Sequence, residues 1–245
     1  MIRQFTAPVT YFLQEGRDNL SECLQTAFRA ARNHSIEKMI IFTARGEGVV
    51  RALDDFCTQP KFADVRLVAV TFPVGQPFKD AEGNSIDYEI KDEVKERFRK
   101  HSIPLIRAHM PFDPIFSQHG DRGVLGHDLS LVESALNAFG GSMSLCIQAV
   151  MIACDAGVVG WGEHVIAMTS DTAILAQAAP TRRMLSDLAV REILCKPVIY
   201  SRGRGEKADQ MLTAQETQHP TKTLEGHGPQ AKTSRQKKGR PTLKR

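Results

Sequence analysis

The sequence predicts an α/β protein, a mainly parallel sheet covered by helices on both faces. Two observations carry that expectation. Short apolar runs bounded by turn residues alternate with stretches of helical spacing, and alternation of this kind builds βαβ units. The runs are also apolar at consecutive positions, the mark of strands buried on both faces. Hydrophobic residues make up 42% and charged residues 24% of the 245 residues, which excludes a collagenous chain and a wholly disordered one.

The elements follow in order. From Asp18 to Arg32, the residues Leu20, Cys23, Leu24, Ala27, Phe28 and Ala31 recur at spacings of three and four, one buried stripe of a helix. Asp18 or Asn19 is placed to cap it. Lys38 to Thr43 reads as a buried strand. The loop TARGEG (Thr43 to Gly48) leads from it into a helix marked by Val49, Val50, Leu53 and Phe56. The unit then repeats, with a strand at Val65 to Phe72, a polar loop containing Gly75, Pro77 and Gly83, and a charged helix over about Asp87 to Lys100. A third strand falls near Ile103 to Ala108.

From His109 to His127, Pro111, Pro114, Gly120, Gly123 and Gly126 interrupt any periodicity, and a loop that long is a candidate functional segment. Helices are expected over Asp128 to Phe139, capped by Asp128, and over Met143 to Ala156, with Gly140 and Gly141 between them. The second is apolar nearly all round and should be buried. His164 to Met168 and Thr172 to Gln177 complete five main strands around the turn TSDT (Thr169 to Thr172), and Arg191 to Cys195 adds a short edge element.

After Tyr200 the composition changes. Residues 201–245 contain no Phe, Trp, Tyr, Ile, Val or Cys, and carry 11 Lys/Arg against 4 Asp/Glu, leaving 21 against 24 for residues 1–200. A segment with so little apolar area cannot offset its chain entropy, so the expectation is a folded domain over 1–200 and a disordered basic tail. The five cysteines, Cys23, Cys57, Cys146, Cys154 and Cys195, form no CxxC pair. Cys146 and Cys154, if on one helix, stand about 12 Å apart, too far for a disulfide. All five read as small core residues in a reducing compartment. The first residues lack the apolar core of a signal peptide, and Met143 to Trp161 is interrupted by Gln148 and Asp155. A cytoplasmic protein without a membrane partner is the expectation.

The series MIIFTARGEGVVRAL, VRLVAVTF, GVLGHDLSLVESALNAFGGSMSLCIQAVMIACDAGVV and VREILCKP resembles the stand-alone proteins related to the C-terminal domain of pyruvate kinase, over roughly residues 10–197. The resemblance implies a three-layer α/β/α sandwich with a five-stranded sheet of order 3-2-1-4-5, its last strand antiparallel. It also implies a symmetric homo-oligomer. Pyruvate kinase activity is not expected, because the catalytic (β/α)₈ barrel needs about 250 residues of its own. In many relatives the loop after the first strand holds a phosphorylated effector, and the aligned loop here is TARGEG.

Two readings of TARGEG stand side by side. A helix N-terminus presents unpaired N–H groups and a positive dipole end to phosphate, with Thr43 a hydroxyl, Ala44 a backbone contact, Arg45 a planar fork, Gly46 and Gly48 room for close approach, and Glu47 an opposing charge. Otherwise it is a tight turn with Arg45 and Glu47 solvated. The order 3-2-1-4-5 reverses between its first and fourth strands, where open α/β sheets bind ligands, and TSDT would face TARGEG there. Thr169, Ser170 and Thr172 offer hydroxyls and Asp171 could accept from a sugar hydroxyl, or Asp171 and Thr172 simply make a turn. Thr71 and His109 close the second and third strands and are further candidates for the same edge.

The residue types of a metal site occur at His119, Asp121, His127 and Asp128, but at no known ligand spacing, so no metal is expected. No GxSxG elbow is present, and the catalytic residues of any enzyme here stay unassigned. The function expected is therefore a binding or regulatory protein taking a nucleotide, flavin mononucleotide or sugar phosphate. One alternative is a DNA-associated protein tethered by the tail, where Lys238, Gly239, Arg240 and Pro241 resemble an AT-hook core suited to narrow minor grooves. The plain reading of that tail is salt-sensitive, non-specific affinity for nucleic acid. A second alternative is an uncharacterised enzyme using the same crevice.

Overall fold

The computed structural model describes residues 6–76, 78–79, 83–86, 88–113 and 124–198. In chain order the elements are β1 (Thr10–Phe12), α1 (Leu20–Asn33), β2 (Lys38–Phe42), α2 (Glu47–Ala52), β3 (Arg66–Thr71), β4 (Phe78–Lys79), β5 (Ser85–Ile86), α3 (Asp92–Lys100), β6 (Leu105–Arg107), α4 (Val124–Asn137), α5 (Met143–Asp155), β7 (His164–Met168), β8 (Ala173–Gln177), α6 (Met184–Asp187) and β9 (Ala189–Pro197).

The main sheet runs β1-β9-β8-β7-β2-β3-β6. β2 pairs in parallel with β3 and β7, β3 with β6, and β9 with β1, while β8 is antiparallel to both its neighbours. The period of two in a strand explains the layering. Met39 and Ile41 of β2 join a core with Cys23, Leu24 and Phe28 of α1, Val49 of α2 and Phe98 of α3. Ile40 and Phe42 join a second core with Cys146, Ile147 and Val150 of α5 on the other face. Ten of the thirteen residues of α5 are buried, as its apolar circumference demands. Among the described residues no helix is long and apolar enough to cross a membrane.

Several expectations are corrected. The sheet has seven strands rather than five, because the short edge element is the nine-residue β9, which brings β1 in beside it. β1, three residues long, does not announce itself in the sequence, and of β9 the sequence marks only Arg191 to Cys195, since Arg191 and Glu192 leave it no clear period. The polar loop after β3 carries the two-residue hairpin β4–β5, and the charged helix begins at Asp92 rather than Asp87. The helix expected from Asp128 begins at Val124, so Asp128 lies within α4 and does not cap it. α1 begins after a 3₁₀ turn at Arg17–Asn19, and its N-cap Asn19 makes no capping bond; its amide donates instead to the Gln14 carbonyl at 2.7 Å. All five cysteines are free thiols, but only Cys23, Cys146 and Cys195 are buried in the core; Cys57 and Cys154 are half-buried. The basic tail, including Lys238 to Pro241, lies outside the described residues.

Candidate functional site

β2 and β7 lie side by side and parallel, with chain-order neighbours on opposite sides of the pair. Loops leaving their C-terminal ends therefore part, and a crevice opens between them. It holds a cleft of about 160 Å³ lined by Arg17, Thr43, Ala44, Gly48, Ser142 and Ser170 among others. An adjoining cavity of about 410 Å³ shares Phe72, Ser142 and Leu145 with it.

The TARGEG side is built by packing. The Thr43 hydroxyl accepts the Gly46 N–H at 2.9 Å, closing the turn. Gly46 has φ of 90°, and a Cβ there would lie 2.6 Å from Val94 Cγ1 and 3.2 Å from Phe98 Cζ. A Cβ on Gly48 would come within 3.1 Å of Ile41 Cγ2. Both glycines thus let the loop pack on α3 and β2, a reason independent of any ligand. The exposed Arg45 turns away, its guanidinium 5.1 Å from the centre of the Tyr88 ring. Thr43, Ala44, Glu47 and Gly48 line the cleft; Arg45 and Gly46 do not. The cation that does is Arg17, 3.5 Å from Glu47 in a loose ion pair with both side chains more than half exposed.

The TSDT side is built by polar groups. Asp171 is 4% exposed, and its carboxylate accepts from Thr172 Oγ1 at 2.9 Å, Gly16 N–H at 3.0 Å, Thr169 Oγ1 at 3.3 Å and Ser142 Oγ at 3.4 Å. Four donors occupy about as many lone-pair positions as a carboxylate offers. Asp171 therefore organises the turn and is not left open for a sugar hydroxyl. Thr172 Oγ1 also accepts the Ser142 N–H at 2.9 Å, tying the turn to the start of α5. From beneath, the thiols of Cys23 and Cys146 donate to the carbonyls of Thr169 and Thr172, each at 3.6 Å. Burial pushes both thiols well above their ordinary pKa, which keeps them protonated donors. Ser170, half-buried at the rim of the cleft, is outside this network.

The larger cavity was not foreseen. Its walls include Phe72, Phe78, Glu15, Asp113, Glu133, Ser144 and Gln148. Gln148 is fully buried, and its Oε1 accepts the Phe112 N–H at 3.0 Å. That bond fixes the amide orientation, and Nε2 has no hydrogen-bond partner among the described residues.

The remaining candidates go elsewhere. Thr71 is wholly buried and lines neither space. His109 faces a separate groove with Trp161, Arg182 and Arg183, its Nε2 donating to the Asp113 carbonyl at 2.9 Å. Among the described residues no group of His, Cys, Asp and Glu is arranged to hold a metal; His119, Asp121 and the side chains of His127 and Asp128 lie outside them. Arg17, Ser142, Asp113 and Gln148 are the residues that sequence reasoning missed. None belongs to a loop motif, and the only local signal was a glutamine inside an otherwise apolar helix. No protein-family model matches the chain.

Proposed function

We propose that the protein binds a phosphate-bearing small molecule, a nucleotide, flavin mononucleotide or sugar phosphate, in the crevice between β2 and β7, with a binding or regulatory role. One observation carries the reading: at the switch point of the sheet, a cleft sized for a phosphate group gathers Thr43, Ser142, Ser170 and the cation Arg17. The larger cavity beside it brings the crevice into the range of small-molecule sites. Arg17 takes the charge-pairing role expected of Arg45, while Thr43, Ala44 and Gly48 supply the loop wall, Glu47 holds Arg17, and Asp171 positions Ser142. Kinship with the pyruvate kinase C-terminal domain is part of the same proposal, supported by the run β6-β3-β2-β7-β8 with β8 antiparallel.

The test is calorimetric titration of the full chain with adenosine monophosphate, flavin mononucleotide, glucose 6-phosphate and inorganic phosphate, alongside native mass spectrometry of the purified protein. At least one phosphate ester should bind, and Arg17→Glu should weaken it by about tenfold or more, the loss of one charge-assisted contact, with the melting temperature unchanged. Failure of all the esters to bind, or an Arg17→Glu protein of unaltered affinity, overturns the reading.

A further inference from the structure

We propose that the groove holding Trp161, Arg182 and Arg183 is a binding site for single-stranded nucleic acid, with a base stacked on the Trp161 indole and the adjoining phosphates paired with the two arginines. The site is separate from the crevice between β2 and β7, and the inference is independent of the phosphate-ester reading.

The groove has a volume of about 920 Å³. It is lined by the edge strand β6 and the residues after it, by the C-terminal end of α5, by the turn carrying Trp161 and by the 3₁₀ turn Thr181–Arg183. Trp161 is the one tryptophan of the chain and is 61% exposed. A lone apolar side chain at the surface is ordinary, but this one is joined to cations. The Arg183 guanidinium lies 5.4 Å from the centre of its ring, and the exposed Arg182 lines the same groove. An aromatic platform beside planar cations is the chemistry that holds unpaired strands, since every base has a π face and each phosphate accepts from a guanidinium fork.

The platform is set before any ligand arrives. Gly160 N–H donates to Glu163 Oε2 at 2.7 Å and Gly162 N–H to the Ala178 carbonyl at 2.8 Å, which fixes the turn on both sides of Trp161. The arginines follow Thr181, whose N–H donates to Asp155 Oδ1 at 3.1 Å and whose hydroxyl donates to Oδ2. Asp155 also lines the groove, and these bonds turn its carboxylate to Thr181. On the β6 side the Arg107 fork is held by Glu89, both bonds at 2.8 Å, so the cations offered to phosphate are Arg182 and Arg183. Pre-set groups lose little freedom on binding.

The combination selects the occupant. An acidic peptide would pair with the arginines and leave the indole face bare, and a duplex keeps its base faces inside the stack. One indole face with two neighbouring cations matches a base flanked by two phosphates, which a strand has and a mononucleotide lacks.

The experiment titrates the full chain at about 0.15 M salt with oligouridylate and oligodeoxythymidylate of about eight nucleotides, a duplex of that length, uridine monophosphate and polyglutamate. Because Trp161 is the single tryptophan, quenching of its fluorescence reports stacking in the groove, while the anisotropy of labelled strands reports binding anywhere, the basic tail included. A single strand should bind with quenching, about tenfold or more tightly than uridine monophosphate. Trp161→Ala should weaken strand binding about tenfold, and the double variant Arg182→Ala, Arg183→Ala should weaken it and flatten its salt dependence. All three side chains are exposed, and unchanged melting temperatures check that the variants fold. Arg17→Glu should leave strand binding as it is, so the groove and the phosphate cleft fail separately. Strand binding without quenching would place the affinity in the tail and overturn the proposal, as would a Trp161→Ala protein of unaltered affinity. Equally tight binding with quenching by uridine monophosphate, the duplex or polyglutamate would overturn it in favour of that ligand. Absence of strand binding overturns it as well. The tighter of the two single strands identifies RNA or DNA as the source, through the 2′-hydroxyl.

Discussion

The two loops that form the crevice are held by opposite means. TARGEG is shaped by apolar contact, its Gly46 pressed on Val94 and Phe98 of α3 and its Gly48 on Ile41. TSDT is shaped by hydrogen bonds, four of them ending on one buried carboxylate. For each loop the sequence left a ligand role and a plain turn side by side. In the fold the glycines answer to packing, and the turn is the better organised side. A glycine permits close approach whether the approaching atoms belong to a ligand or to a neighbouring helix, so a glycine pattern alone does not distinguish them.

The sharpest way to break this comparison is Gly46→Val. A β-branched residue at φ of 90° with its Cβ 2.6 Å from Val94 should cost about 4 kcal/mol or more, combining backbone strain with overpacking. Urea unfolding measures it. A Gly46→Val protein that keeps its stability and loses only ligand affinity would show the loop to be a cradle after all.

Asp171→Ala tests the polar side and should cost about 3 kcal/mol, because it leaves several buried donors without an acceptor. Thermal unfolding should fall accordingly, and hydrogen exchange at the Gly16 and Ser142 amides should quicken. Unchanged protection at those amides would mean that the turn is held by its thiol and backbone contacts instead.

The smallest effect is expected at Asp113. Burial pushes its carboxyl above the ordinary value, with nearby His109 acting in the other direction. For a carboxyl raised in the folded state, ionisation costs stability. That cost is absent below the unfolded pKa, grows as pH rises through the interval up to the folded pKa, and is complete above it. Asp113→Asn should therefore raise the melting temperature at neutral pH by ~1–2 °C, and the difference should vanish near about pH 3. A variant less stable than the parent at neutral pH would show that the carboxylate is satisfied in the unliganded protein, and would sharpen the contrast by removing the cavity from the polar side.

The alternation of strands and helices, the buried α5 and the free thiols were legible in the chain, because they depend on local periodicity and residue type; the meeting of TARGEG with TSDT followed only from the sheet order that the family resemblance implied. β1 was not legible, and of β9 only the segment Arg191 to Cys195 was, because a strand of three residues, or one carrying Arg191 and Glu192, has little period to read; pairing of β9 with β8 and of β1 with β9 holds them in the sheet. The membership of the crevice was equally a matter of tertiary structure. Arg17 reaches Glu47 across 30 residues, Gly16 reaches Asp171 across 155, and Phe112 reaches Gln148 across 36. Side chains so distant in sequence meet only because the sheet order brings the ends of β2, β6 and β7 to one edge. A cavity's charge and its unpaired donor are properties of that meeting, not of any one segment.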